Sequence, residues 1–164
     1  MSKNENEVIR IKALNIMSAG ENTPKALYEK LKEKLPYADR DAIKIEIRRL
    51  ILEGIVDEKR YGERFIELCK GKMYGHRRIE NELAAKKFSE KFMNDSAELI
   101  LSDEEERALE LATRKFDSLT DVTDKTEAQK QIQKVFAYMM RMGYDTDVIK
   151  RAFALYKENL EDEE

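Results

Sequence analysis

The chain has 164 residues, 41% apolar and 40% charged, with a net charge of −3, one Cys, one His and no Trp. That length suits one sizeable core or several small ones, and a lone Cys69 excludes an internal disulfide and suits a reducing, cytoplasmic setting. The polar start from Met1 to Glu7 is no signal peptide, and no apolar run approaches the roughly 20 residues that span a bilayer.

In chain order, Val8, Ile11, Leu14 and Ile16/Met17 predict a helix over 8–18 with those residues as its apolar stripe. Asn22-Thr23-Pro24 reads as a cap with proline at the first helical position, followed by the stripe Leu27, Leu31, Leu35 and a stop at Pro36. Asp39 caps the next helix, with stripe Ile43, Ile47 and Leu50/Ile51, which Gly54 ends where a left-handed backbone is cheap. Asp57 caps a helix over 58–70 that puts Tyr61 and Phe65 on one face. Gly75 opens another, striped by Ile79 and Leu83, and Ser89 caps the one after it. Ser102-Asp103-Glu104-Glu105 and Thr126-Glu127-Ala128-Gln129 have capping-box spacing, and Asp145 precedes the last helix as a cap.

The pattern repeats at about 50–55 residues. Leu27/Leu31, Ile79/Leu83 and Val135/Met139 occupy matching places. So do Ala42/Ile43, Phe92/Met93 and Val148/Ile149, with Ile47, Ala97 and Phe153 one turn further on. The expected fold is all-α: three tandem three-helix repeats, 8–54, 55–101 and 102–160, stacked into an elongated, curved array, because so short a unit buries little alone. A single compact bundle is the alternative. The polar stretch from Asp117 to Asp124 is the expected flexible joint.

Charge is unevenly spread. Lys59, Arg60, Arg64, Lys70, Lys72, Arg77, Arg78, Lys86, Lys87 and Lys91 crowd residues 59–91, whereas 95–127 carry Asp103-Glu104-Glu105-Glu106, Asp117, Asp121 and Asp124. The middle of the chain suits a polyanion or an acidic surface, and the next segment repels one. The basic loop Lys70, Lys72, Tyr74 and His76 around Gly71 and Gly75 suits phosphate or acidic protein. Arg77 and Arg78 stand in a first helical turn, where a cation is disfavoured by the helix dipole, so they either contact a partner or pair with Glu80, Glu82 or another repeat. Their reversal to Glu is expected to leave the fold intact. Arg60 has Asp57 and its neighbours as internal partners, and Tyr61 reads as core.

No catalytic site is expected. Cys69 as a nucleophile lacks an ordered base, so it reads as a small packing residue. One Cys and one His leave no metal site, and without a glycine-rich phosphate loop no cofactor or intrinsic ATPase is expected.

Gly54-Ile55-Val56-Asp57-Glu58-Lys59-Arg60-Tyr61, then Phe65, then Gly75-His76-Arg77-Arg78-Ile79-Glu80-Asn81-Glu82-Leu83 resemble the signature of the RecX family, bacterial regulators of the RecA recombinase. Met142-Gly143-Tyr144 and Val148-Ile149-Lys150-Arg151-Ala152 resemble the family's third unit, and Thr23 stands where a small hydroxyl residue is usual. Lys87-Phe88 stands where a Gly followed by an apolar residue is usual, and Cys69 where a basic residue is frequent. The resemblance implies a monomeric helical protein that binds the RecA–DNA filament and limits it by blocking extension or promoting disassembly. Lys70, Lys72, Arg77, Arg78, Lys86 and Lys87 are its expected partner-binding residues, with at most weak direct contact to DNA. A helix-turn-helix transcription regulator is the alternative. It would need a two-stranded wing after Gly54, where Asp57 to Leu68 has helical spacing instead.

Overall fold

A computed structural model describes residues 3–163. Every regular element among them is a helix: α1 (Lys3–Ala19), α2 (Pro24–Lys34), α3 (Arg40–Leu52), α4 (Glu58–Gly71), α5 (His76–Ala85), α6 (Glu90–Asp95), α7 (Ala97–Leu101), α8 (Glu104–Asp117), α9 (Lys125–Arg141) and α10 (Thr146–Asp162). The protein is all-α and built of three-helix repeats. No strand follows Gly54; α4 begins there, so the wing of a winged helix is absent from the described residues. The last helix of the middle repeat departs from expectation. It breaks at Ser96, whose backbone sits at φ −100°, ψ 2°, and so forms α6 and α7.

The chain forms two compact units. The first comprises the described residues through Phe65 together with Leu83–Asp95. Its core is Ile9 and Ala13 of α1, Leu27 and Leu31 of α2, and Ala42, Ile43, Ile47 and Leu50 of α3, closed by Val56. The face of α1 differs from the expected one. Val8 is 51% and Ile11 60% exposed, whereas Ile9 and Ala13 are fully buried. Thr23 Oγ accepts from Ala26 N at 3.1 Å, and Asp39 caps α3 as expected. Arg10 ties α1 to α3 through the buried Glu46 at 2.7 Å and through Glu53, whose carboxyl it holds below the usual range. Tyr61, Phe65, Phe88 and Phe92 form an aromatic cluster with neighbouring centroids 4.9–6.2 Å apart. Ser89 caps α6 by accepting from Phe92 N, and its own hydroxyl donates to Glu58 at 2.6 Å.

The second unit comprises Ile66–Glu82 and the described residues from Ser96 onward. Ala108, Leu111 and Ala112 of α8, Val135 and Met139 of α9, and Ile149 and Ala152 of α10 make its core, together with Met73, Met142 and Tyr144. The fully buried Tyr144 donates its hydroxyl to Met73 O at 2.6 Å, and burial pushes its phenol up to about 12. Both expected capping boxes are absent. Ser102 donates back to Leu99 O, and Asp103 enters α8 in a left-handed conformation without a side-chain cap bond. The cap of α9 is Asp124, which accepts from Thr126 N at 2.9 Å. In the middle repeat Ala97 is exposed and Ile100 takes the buried place expected for it.

Four helices end alike. After α3, α4, α5 and α9, a residue with positive φ (Gly54, Met73, Lys87 and Gly143) lets the next N–H reach back five residues, giving Ile55→Leu50, Tyr74→Cys69, Phe88→Leu83 and Tyr144→Met139. Lys87 and Gly143 are thus equivalent positions of successive repeats. Lys87 holds φ +66° with a side chain attached, which costs about 1 kcal/mol, and its ion pair with Glu29 is exposed and contributes less. Lys87→Gly is therefore expected to raise stability by about 0.5 kcal/mol, or roughly 1–2 °C in thermal melting. An unchanged or lower melting temperature would show that the ion pair outweighs the backbone strain.

Candidate partner-binding site

The N-terminus of α5 is seated on the α9–α10 turn within the second unit. Two glycines make this possible. A Cβ on Gly75 would lie 2.5 Å from Gly143 C and O, and one on Gly143 would lie 2.5 Å from Arg78 N. This close approach supplies acceptors for N–H groups that a helix start leaves unpaired. Gly75 N donates to Met142 O at 2.7 Å, Arg77 N to Gly143 O at 3.2 Å, and His76 N to Glu104 Oε2 at 3.2 Å.

Side chains lock the same junction. His76 Nδ1 lies 2.9 Å from both oxygens of the buried Glu104, and its Nε2 is 3.3 Å from Asp145. Asp145 is the N-cap residue of α10 but makes no side-chain cap bond. Its carboxylate instead accepts from Arg77 Nε at 2.9 Å, while Arg77 Nη2 donates to Tyr144 O at 3.0 Å. The Arg78 guanidinium lies 3.9 Å from the centre of the Tyr74 ring, with Nε 3.7 Å from Glu82. The buried Arg107 donates to Tyr74 O and Ser102 O and so fixes the loop that carries Tyr74. Arg77 and Arg78 are therefore structural as well as basic, so their reversal to Glu is expected to cost stability through these contacts.

The six expected partner-binding residues divide between the units. Lys70, Lys72, Arg77 and Arg78 lie in the second and Lys86 and Lys87 in the first. Lys72 Nζ is 6.0 Å from the Tyr74 ring centre, beside Arg78. The side chain of Lys70 is 10% exposed and donates to Ser102 Oγ at 2.7 Å, and burial lowers its pKa. Lys86 is exposed, its backbone carbonyl accepting from the Thr23 hydroxyl, and Lys87 pairs with Glu29. Cys69 is buried, and burial pushes its thiol up, away from the reactive thiolate. The described residues hold no metal-binding group of His, Cys, Asp or Glu, and no helix among them is long and apolar enough to cross a membrane.

Sequence reading missed Arg141, which shares with Arg77 and Arg78 a cleft of about 430 Å³ also lined by Asn81, Glu82, Met140 and Gly143. A cation in the last turn of α9 is ordinary for a helix C-terminus, so nothing in the sequence marks it. Glu104 was readable only as part of an acidic helix start, yet it is the buried partner of His76.

A family model described as "RecX, third three-helix domain" matches residues 103–153. The chain is 27% identical to the regulatory protein RecX of Trichlorobacter lovleyi, over 86% of this chain and 90% of that one. It is 29% identical to the regulatory protein RecX of Pseudomonas putida, over 87% of each. The crystal structure of RecX from Lactobacillus salivarius superposes with a TM-score of 0.79 at 19% identity, covering 95% of this chain and 99% of that one. A second crystal structure, of a regulatory protein RecX, gives 0.73 at 17% identity over 92% and 73%. At those identities the structures speak for the fold alone, whereas the sequence relatives, at 27–29% identity, and the family model over residues 103–153 support the RecX family for a chain that carries the resembling signature around α4 and α5.

Proposed function

We propose that this protein binds the RecA–DNA filament and restrains the recombinase, by blocking filament extension or promoting disassembly, and so modulates recombination and DNA repair. The observation that carries the reading is the similarity, over nearly the whole chain, to proteins named regulatory protein RecX. The physical chemistry agrees with it. A repeat protein offers an extended surface to a multi-subunit partner, and the repeats 8–54, 55–101 and 102–160 would each contribute to it. Lys72, Arg77, Arg78, Lys86 and Lys87 supply the cations for an acidic face, with Lys70, the least exposed, supporting the loop. The protein acts in the cytoplasm as a monomer, without catalysis or cofactor, and contacts DNA weakly at most.

The test is DNA-dependent ATP hydrolysis by RecA with and without this protein. Hydrolysis should fall on its addition, and the concentration for half inhibition should rise with salt, because exposed charges are screened over about 10 Å at 0.1 M ionic strength. Unchanged hydrolysis on preformed filaments at saturating protein would end the proposal. Inhibition insensitive to salt would instead place an apolar surface at the contact.

A further inference from the structure

We infer that the cleft between the start of α5 and the end of α9 is a receptor for an acidic side chain of a protein partner, and that Arg141 is one of its binding residues. Three guanidinium groups, Arg77, Arg78 and Arg141, line it against one lining carboxylate, Glu82. Two of them are already held in place. Arg77 is fixed by Asp145 and by Tyr144 O, and Arg78 by the Tyr74 ring. Each guanidinium carries five N–H donors, so these contacts leave others for a ligand, and fixed rotamers reduce the ordering cost of binding one. Arg141 makes no ion pair among the described residues; its guanidinium is 5.9 Å from the Tyr138 ring centre.

The fork geometry of arginine suits both carboxylate and phosphate. Two features favour the carboxylate. A thioether lines the cleft beside the guanidiniums, Met140 Sδ 3.9 Å from Arg77 Nη2, and it matches the methylenes of a Glu side chain rather than a sugar-phosphate strand. In addition, Glu82 and Asp145 border the same arginines and would repel a succession of phosphates more than a single carboxylate. A volume of about 430 Å³ accepts one or two acidic side chains. This inference deepens the reading of the protein as a filament regulator and rests on it for the identity of the partner, not for the chemistry of the cleft.

The experiment uses the full chain and three readouts: binding of a labelled hexaglutamate peptide, binding of a labelled single-stranded oligonucleotide, and inhibition of RecA ATP hydrolysis. Arg141→Glu should weaken peptide binding and RecA inhibition by about tenfold each, with oligonucleotide binding changed by less than about twofold. Arg141→Gln, which puts no acid at a helix C-terminus, should give a smaller loss in the same two readouts with the melting temperature unchanged. Lys157→Glu, an exposed reversal on α10, should alter none of the three. Peptide binding indifferent to both Arg141 variants overturns the inference. An equal loss of oligonucleotide binding also overturns it, since the cleft would then be a phosphate site. If the parent protein fails to inhibit RecA, the filament reading falls while the peptide titration still decides the cleft.

Discussion

Gly143→Ala is expected to destabilise the unit built on α8–α10 by about 3 kcal/mol, one part from strain and one from overlap. Gly143 holds φ +100°, where an L side chain is strained by about 1 kcal/mol. The added methyl would also lie 2.5 Å from Arg78 N and 2.6 Å from Arg78 Cβ. Neither is the free end of a flexible chain, so the α5 backbone itself must move, at roughly 1–3 kcal/mol. Melting should drop by about 6–12 °C. Amide exchange should quicken first at Gly75 and Arg77, whose N–H groups donate to Met142 O and Gly143 O. Gly71→Ala is the control. It ends α4 with nothing within 4 Å of a new Cβ, and it should be neutral or slightly stabilising. A loss below about 1 kcal/mol in Gly143→Ala would mean that the α5 start is not held by this close approach.

The contrast between those glycines shows which parts of this fold are legible in sequence. Local rules read well wherever one interaction decides the outcome. Thr23, Asp39, Asp57 and Ser89 cap because each offers a side-chain oxygen to an N–H two or three residues on. The stripes Leu27/Leu31, Ile79/Leu83 and Val135/Met139 are buried because each is the one apolar face of its helix. Where two faces qualify, periodicity fails. In α1 the series Val8, Ile11, Leu14 and the series Ile9, Ala13, Ile16/Met17 both have helical spacing, and only packing selects the second. Capping fails where a distant residue competes. Ser102 is engaged by Lys70, and Asp145 by Arg77 and His76, so neither side chain caps its helix. The candidate cleft joins residues 77–82 to 140–143, and its composition becomes visible only once the chain has folded. Lys87 is an intermediate case. Its departure from the family's usual Gly was readable, and the positive φ supplies the physical reason that Gly is usual there.

Arg77→Glu is expected to weaken filament inhibition and stability together, and a charge swap separates the two. The substitution removes the 2.9 Å pair with Asp145 and the 3.0 Å hydrogen bond to Tyr144 O, and sets two carboxylates face to face. Both side chains are about half exposed, 46% and 47%, so the pair itself contributes at most about 1 kcal/mol. The charged hydrogen bond to a main-chain carbonyl adds about 1.5 kcal/mol. A total near 2 kcal/mol corresponds to roughly 4–8 °C. Adding Asp145→Lys restores opposite charges across the junction, while His76 keeps Glu104 as a partner. A cation at the start of α10 works against the helix dipole by about 0.5 kcal/mol, so of the pair's roughly 1 kcal/mol only about 0.5 kcal/mol should return. Filament inhibition should not return, because the introduced carboxylate still presents the wrong charge to an acidic partner and like charges at an interface cost several kcal/mol by rough estimate. Thermal melting and RecA ATP hydrolysis measured on the parent, the single variant and the swap decide the matter. If inhibition recovers in step with stability, Arg77 is an internal strut holding α5 to the α9–α10 turn, and the contact must be sought among Lys72, Arg78 and Arg141 or on Lys86 and Lys87.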